Sequence, residues 1–237
     1  MLELKQVRFA YEKGKDVIRD VSFRIGDGEN VGLIGANGAG KSTVLKLILG
    51  LLAGEGEILA DQIPVEKKTL PQIRKKMGYV LQNSDNQMFM PTVLEDMVFG
   101  PVNYGLTRAA AEEKAERVLE QLNISGLKDR YNHRISGGEK KMAAIATILT
   151  MEPDLILMDE PTASLDPYNR RQMIRLMRDL SQTLLITSHD LDMIYDTCSR
   201  VILMHEGKIA ADGPADVILR DRKLLEACHL ELPLRMK

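Results

Sequence analysis

The 237-residue sequence contains only two cysteines, Cys198 and Cys228. It has no C-x-x-C pair and no ligand spacing of the zinc type, which excludes a zinc site of the usual pattern. Both cysteines lie in stretches that read as amphipathic helix, where small half-buried thiols of a reducing compartment are expected. Charge of one sign is also lacking: the formal net charge is −2. Nothing electrostatic therefore points to nucleic acid or to an anionic membrane surface. No run approaches the ~18–20 apolar residues that cross a bilayer. The opening MLELKQVRF alternates charged and apolar residues and lacks the apolar core of a signal peptide. Repeats and low-complexity segments are absent. A cytosolic protein is expected; if it serves a membrane, it does so by binding something already there.

What is present is ordinary globular material, 44% hydrophobic and 28% charged, long enough for one large domain or two small ones. The first 34 residues read as strands. LELKQVRFAY alternates, VIRDVSFRI alternates after the turn EKGKD, and NVGLI follows GDGE. The amphipathic VLKLILGLL predicts a helix ended by Gly54 and Gly56, before the strand GEILA. From about Ser84 to Thr150 little strand signal follows GYVLQ. Leu106-Thr107 opens a helix with Ala111, Ala115, Val118, Leu119 and Leu122 at a 3.6-residue period. A second helix, KKMAAIATILT, starts after Ser136-Gly137-Gly138. After Pro153 the α/β pattern returns: DLILMDE, a helix opened by Asp166-Pro167, TLLITS, the helix DLDMIYDTC, and two strands around HEGK. Apolar strands alternating with helices imply a parallel sheet covered on both faces. The residues from 216 onward are amphipathic and offer no evident chemistry.

The stretch Gly35-Ala36-Asn37-Gly38-Ala39-Gly40-Lys41-Ser42-Thr43 has the spacing G-x4-G-K-S between a predicted strand and a predicted helix, the context that gives this pattern meaning. Glycines let several backbone N–H groups approach a β-phosphate. The helix presents its positive end to the same anion. Lys41 adds a charge near the β/γ oxygens, and the Ser42 hydroxyl suits Mg²⁺. Leu155–Glu160 puts two acids at the carboxyl end of a buried strand, where ligands sit in open α/β sheets. Asp159 is suited to hold Mg²⁺ through its water shell, and Glu160 to polarise the attacking water.

Other residues are weaker taken singly. Ser136-Gly137-Gly138-Glu139 is a glycine-containing helix start that also offers a second anion site. Its distance in sequence from the glycine-rich loop suits two chains facing head to tail. His189 follows TLLITS, either as a helix cap or as a hydrogen-bonding partner of the γ-phosphate or water. Gln82 ends GYVLQ within reach of metal or water. Asp166 is an N-cap by type and also a candidate site residue. Tyr11 is a candidate stacking surface for adenine.

Together these segments resemble, in order, the motifs of ABC-type ATPases: the Walker A loop at Gly35–Thr43, Gln82, the signature Ile135–Glu139, the Walker B strand Ile156–Glu160, the D-loop Ser164–Asp166 and the switch His189. Tyr11 matches the adenine platform. The run Asn83–Leu106, NSDNQMFMPTVLEDMVFGPVNYGL, is similar to the corresponding segment of energy-coupling-factor transporter ATPases, and the short tail is most like that of the cobalt and nickel uptake ATPases. The resemblance implies an α/β P-loop NTPase fold with a mixed sheet, an N-terminal antiparallel β-subdomain and an inserted helical subdomain. The whole of 1–237 would be one ATP-binding domain, with its core at 1–83 and 151–215, the helical insert at 84–150 and a tail at 216–237. It implies hydrolysis of Mg-ATP, with Ser42, Gln82 and Asp159 as Mg²⁺ ligands. It also implies a second ATPase subunit whose Ser136–Glu139 completes the site, a transmembrane coupling protein, a substrate-binding membrane subunit, and a place on the cytoplasmic face of the membrane.

Three positions depart from the family pattern. Ile135 replaces Leu. Glu139 replaces Gln, bringing negative charge near a polyphosphate unless Lys140 or Lys141 offsets it, and favouring its own helix start. Met142 replaces Arg. None removes Lys41, Asp159, Glu160 or His189, so hydrolysis is expected. An importer ATPase for another solute, such as biotin, fits the same residues. A DNA-repair or translation ABC protein would need a coiled-coil insertion or tandem domains, neither of which is present; a small-molecule kinase would need an acceptor lid and would not require Ile135–Glu139 or His189.

Overall fold

Short apolar runs become strands buried along their whole length: LILMD and TLLIT have no exposed position. The computed structural model describes residues 1–237. Its elements begin with β1 (Leu2–Glu12), β2 (Lys15–Ile25), β3 (Asn30–Ile34), α1 (Lys41–Ile48), β4 (Glu55–Ala60), β5 (Ile63–Pro64) and α2 (Leu70–Lys76). Next come β6 (Met77–Val80), α3 (Val93–Asn103), α4 (Arg108–Gln121), α5 (Gly137–Leu149), β7 (Leu155–Asp159) and α6 (Pro167–Asp179). The chain closes with β8 (Thr183–Thr187), α7 (Leu191–Thr197), β9 (Arg200–His205), β10 (Lys208–Pro214), α8 (Ala215–Ile218) and α9 (Arg222–Ala227). No helix is long and apolar enough to cross a membrane.

The chain divides into two compact units, Met1–Arg74 with Ser181–Lys237, and Lys75–Leu180. The first carries an antiparallel sheet in the order β2-β1-β4-β5 and the strands β10-β9-β3-β8. In the latter set β3 runs parallel to both β8 and β9, while β10 is antiparallel to β9. The arrangement is mixed, and the antiparallel turn-back at β10 follows from the tight Glu206-Gly207 connection, which no parallel crossover can use. Alternation in β1 breaks at Gln6, which lies at φ 50° where the register slips, and whose N–H donates to Ser22 Oγ at 2.7 Å. A bulge there bends the strand.

Helix α1 is shorter than its apolar run predicts. Gly50, at φ 60°, donates to Leu47 O, and Leu51 donates to Lys46 O. That pair of bonds is a Schellman ending, which a residue free to enter the left-handed region permits. The stop is therefore Gly50 rather than Gly54 or Gly56. The two cysteines are buried rather than half-buried, and each stands at the end of its helix, Cys198 after α7 and Cys228 after α9. Burial pushes the Cys198 thiol up to about 12, so it is inert.

The tail has chemistry after all. The N–H groups of Leu234 and Arg235 donate to the Asp192 carboxylate, and the Arg235 guanidinium forks onto Asp196 at 2.6 and 2.7 Å while lying 5.3 Å from the Tyr195 ring centre. The chain end is thereby tied along α7, the helix that starts just after His189.

In the second unit β6 and β7 pair in parallel, with α3, α4 and α5 between them in the chain. Helix α3 lies in a stretch where Gly100 and Pro101 blur the periodicity. It is started by Thr92, whose hydroxyl accepts from Glu95 N–H. Buried Asp96 accepts from the N–H groups of Phe89 and Met90, each at 3.2 Å, and from Asn132. Its carboxyl is raised by desolvation against the pull of those donors.

Candidate functional site

The expected site residues fall into two groups, one on each unit. On the first, β3 delivers the glycine-rich loop. Gly40 lies at φ 104°, and a Cβ there would come within 2.6 Å of Ile18 Cδ1. No other residue type fits that position without strain. Lys41 is buried, and its ammonium donates to Gly35 O at 2.8 Å and Ala36 O at 3.2 Å. The charge is thus folded over the loop that Gly35 to Gly40 builds. Helix α1 starts at Lys41 with no side-chain cap and no acid in its first turn, so no carboxylate of the helix itself offsets its positive end. Tyr11 is 57% exposed, is braced edge-on by Phe9 at 4.8 Å, and has its hydroxyl 3.3 Å from Thr43 Oγ1. This places an open aromatic face beside the loop that holds Ser42 and Thr43.

The parallel register of β3 and β8 pairs Leu33 with Thr187. The loop after β3 and His189 after β8 therefore leave the same edge. His189 is exposed, and the capping role falls to its neighbour: Asp190 accepts from Met193 N–H at 2.9 Å.

On the second unit β6 and β7 repeat the arrangement. Val80 pairs with Met158, so Gln82 and Glu160, each two residues further on, leave one edge together. Asp159 is buried, with the Tyr79 hydroxyl donating weakly at 3.4 Å. Burial and the Asp159 charge both push the Tyr79 phenol upward, so it remains a donor. Glu160 takes φ 48°, a left-handed conformation that is uncommon outside glycine, asparagine and aspartate and is found at functional turns.

Ser136 caps α5 by accepting from Glu139 N–H, and Glu139 closes the reciprocal bond by accepting from Ser136 N–H at 2.7 Å. That bond with the Ser136 backbone lowers the Glu139 carboxyl. The departure at Glu139 thus completes a capping box, S-x-x-E, that was present in the sequence. Gly138 sits against Asn169, where a Cβ would come within 2.5 Å, whereas Gly137 faces open space. Asp166 caps α6, accepting from Tyr168 and Asn169 N–H, and the bond from the Asn169 backbone leads the lowering of its carboxyl. Neither lysine beside the signature is a free counter-charge. Lys140 pairs with Asp85, and Lys141 is buried with its ammonium on the carbonyls of Leu81 and Gln82, both at 2.9 Å. Burial pulls that ammonium down to about 8 against the opposing charges of Asp159 and Glu160.

Tyr79 and Gln87 escaped the sequence reading, and Lys141 entered it only as a counter-charge to Glu139, not as a buried anchor of the Gln82 loop. Lys141 did leave a signal, standing in line with Ile145 and Leu149 on the apolar side of α5.

The ABC transporter family model matches residues 18–163. The chain belongs to the ABC transporter ATPase family. The ATPase is 46% identical across its whole length to a putative ABC transporter ATP-binding protein of Geobacter sulfurreducens, covering 96% of that protein. It is 41% identical to an energy-coupling factor transporter ATP-binding protein of Methanothermobacter thermautotrophicus, over 98% of this chain and 77% of the relative. Among solved structures, cbiO1 of Clostridium perfringens, described as part of the ABC transporter complex cbiONQ, superposes with a TM-score of 0.85 at 32% identity, covering 95% of this chain and 93% of that one. A dimeric ATP-binding cassette in a post-hydrolysis state with ADP and phosphate gives 0.82 at 26% identity, over 91% and 99% of the two chains. The ATPase therefore hydrolyses ATP, and its resemblance to energy-coupling-factor ATPases, first seen in Asn83–Leu106, extends over the whole chain.

Proposed function

We propose that this ATPase energises a membrane importer of the energy-coupling-factor type whose cargo is cobalt or nickel. The energy-coupling factor relative, matched over 98% of this chain and 77% of its own length, and the cbiO1 likeness support the transporter class; the metal cargo rests on the resemblance of the tail at 216–237 to that of the cobalt and nickel uptake ATPases. The single observation that carries the chemistry is the paired strand register. β3 with β8, and β6 with β7, each send functional side chains from their carboxyl edges, where α/β folds bind nucleotides.

In this reading Gly35–Thr43 holds the triphosphate, Lys41 neutralises its β/γ oxygens and Tyr11 stacks on adenine. The donor set fits Mg²⁺: a hydroxyl at Ser42, an amide oxygen at Gln82 and the buried carboxylate of Asp159 are hard oxygen ligands, few enough to leave room for phosphate and water. Mg²⁺ supplies charge stabilisation of the transferred phosphoryl group. Glu160 takes a proton from the attacking water, and His189 steadies the γ-phosphate. Ser136–Glu139 of a second ATPase subunit closes the site through the open backbone at Gly137, with Asp166 at the same junction. Residues 84–150 serve as the helical signature subdomain, and the protein sits on the cytoplasmic face of the membrane.

The segment after Gln82 receives the transmembrane coupling protein. Phe89 and Phe99 are 64% and 44% exposed and pack edge to face at 4.9 Å, an apolar pair that water does not favour and a partner would cover. Reconstitution of the importer with its membrane subunits tests both points. ATP-dependent cobalt or nickel uptake is expected. Phe99→Asp should abolish uptake by the complex while the separate chain keeps its ATPase rate within about twofold, as a surface change does. Uptake of a vitamin but of neither metal would contradict the cargo, and undiminished uptake with Phe99→Asp would contradict the docking site.

A further inference from the structure

A buried ammonium needs hydrogen-bond acceptors, and where it finds them fixes what it holds. Lys141 is 3% exposed on α5, one turn past Ser136. It donates to two successive carbonyls, Leu81 and Gln82, at 2.9 Å each. Gln87 ties the same loop a second time. Its side-chain oxygen accepts from Leu81 N–H at 3.0 Å, and its amide donates to Ala144 O on α5 at 2.7 Å. Leu81 is thus held by its carbonyl and its N–H together, and Gln82 by its carbonyl, both to the helix that begins with the signature. Removing either tie leaves part-buried backbone groups without their partner, a cost that favours rearrangement of the loop.

We propose that Lys141, with Gln87, is a positioning residue: it fixes the backbone of Gln82 to α5, so that the Gln82 side chain and the Ser136–Glu139 helix start move as one piece. A loop held only by its own turn would leave Gln82 free to sample rotamers and backbone states. Anchored at two carbonyls, the backbone that carries the Gln82 side chain starts from one fixed position, which is what catalysis by positioning requires. The helix start that meets the second subunit then carries Gln82 with it, and closure of the pair sets the metal ligand in place. The inference rests on the assignment of Gln82 to the reaction made above.

A double-mutant cycle on the full-length ATPase tests it, with kcat and KM for ATP measured for Gln82→Ala, Lys141→Met and the double variant. Each single change should lower kcat by about tenfold or more with KM within about threefold, and Lys141→Met should cost less than about threefold further once Gln82 is Ala. A merely structural lysine would lower kcat in both backgrounds alike, and such additivity, with Gln82→Ala itself impaired, would overturn the positioning role alone. An unimpaired Gln82→Ala would instead remove Gln82 from the reaction. An unimpaired Lys141→Met would overturn the inference directly. Should Lys141→Met lack a cooperative thermal transition, Gln87→Ala, which cuts the other tie of the loop, takes its place in the cycle with the same expected non-additivity.

Discussion

Glu160→Gln is expected to lower turnover by about 10²- to 10⁴-fold, the range associated with a lost general base, while nucleotide affinity stays within a few-fold. The replacement is nearly isosteric, so the left-handed turn at φ 48° and the neighbouring Asp159 are left in place. What disappears is the carboxylate that accepts the proton of water. Chemistry then stops with the triphosphate intact, and the closed pair of subunits accumulates, which is visible as a nucleotide-dependent dimer on a sizing column. A variant that turned over at the wild-type rate would remove Glu160 as the base and leave the register of β6 and β7 without a catalytic purpose.

Lys41→Ala should act on binding. Charge-assisted hydrogen bonds are worth about 1.5–3 kcal/mol each, so losing the ammonium weakens ATP affinity by about 10- to 150-fold. The effect has two sources. The ammonium that would meet the phosphates also bonds Gly35 O and Ala36 O, so its removal loosens the loop as well as discharging it. Equilibrium titration with a fluorescent ATP analogue reads the loss directly. An unchanged dissociation constant would mean that the phosphates bind elsewhere.

The parts of the site that were legible in the sequence are those whose chemistry is local. The strand, the glycine-rich loop and the helix at Gly35–Thr43 are contiguous, and each demands its residue types in order. The buried runs of β7 and β8 likewise announced strands ending in Asp159–Glu160 and at His189. Helix ends were less legible. The apolar pattern ran on through Leu51 and Leu52, and only the bonds from Gly50 and Leu51 back to Leu47 and Lys46 show that α1 had already closed. The S-x-x-E box at Ser136 was written in the sequence, although the same Glu139 reads equally as a charge set near a polyphosphate. Long-range ties were not legible at all. Lys141 meets Leu81 across 60 positions and Arg235 meets Asp196 across 39, separations at which side-chain type alone names no partner. These unread contacts are the ones that hold the Gln82 loop and the helix after His189, and so they set the precision of residues whose identities were plain.

The most direct measurement is phosphate release from Mg-ATP by the purified chain, with bound nucleotide counted in the same sample. Retained nucleotide, steady release of phosphate and loss of both on chelation of Mg²⁺ are expected. A chain that neither held ATP nor released phosphate with magnesium present would contradict the site built from Lys41, Asp159 and Glu160.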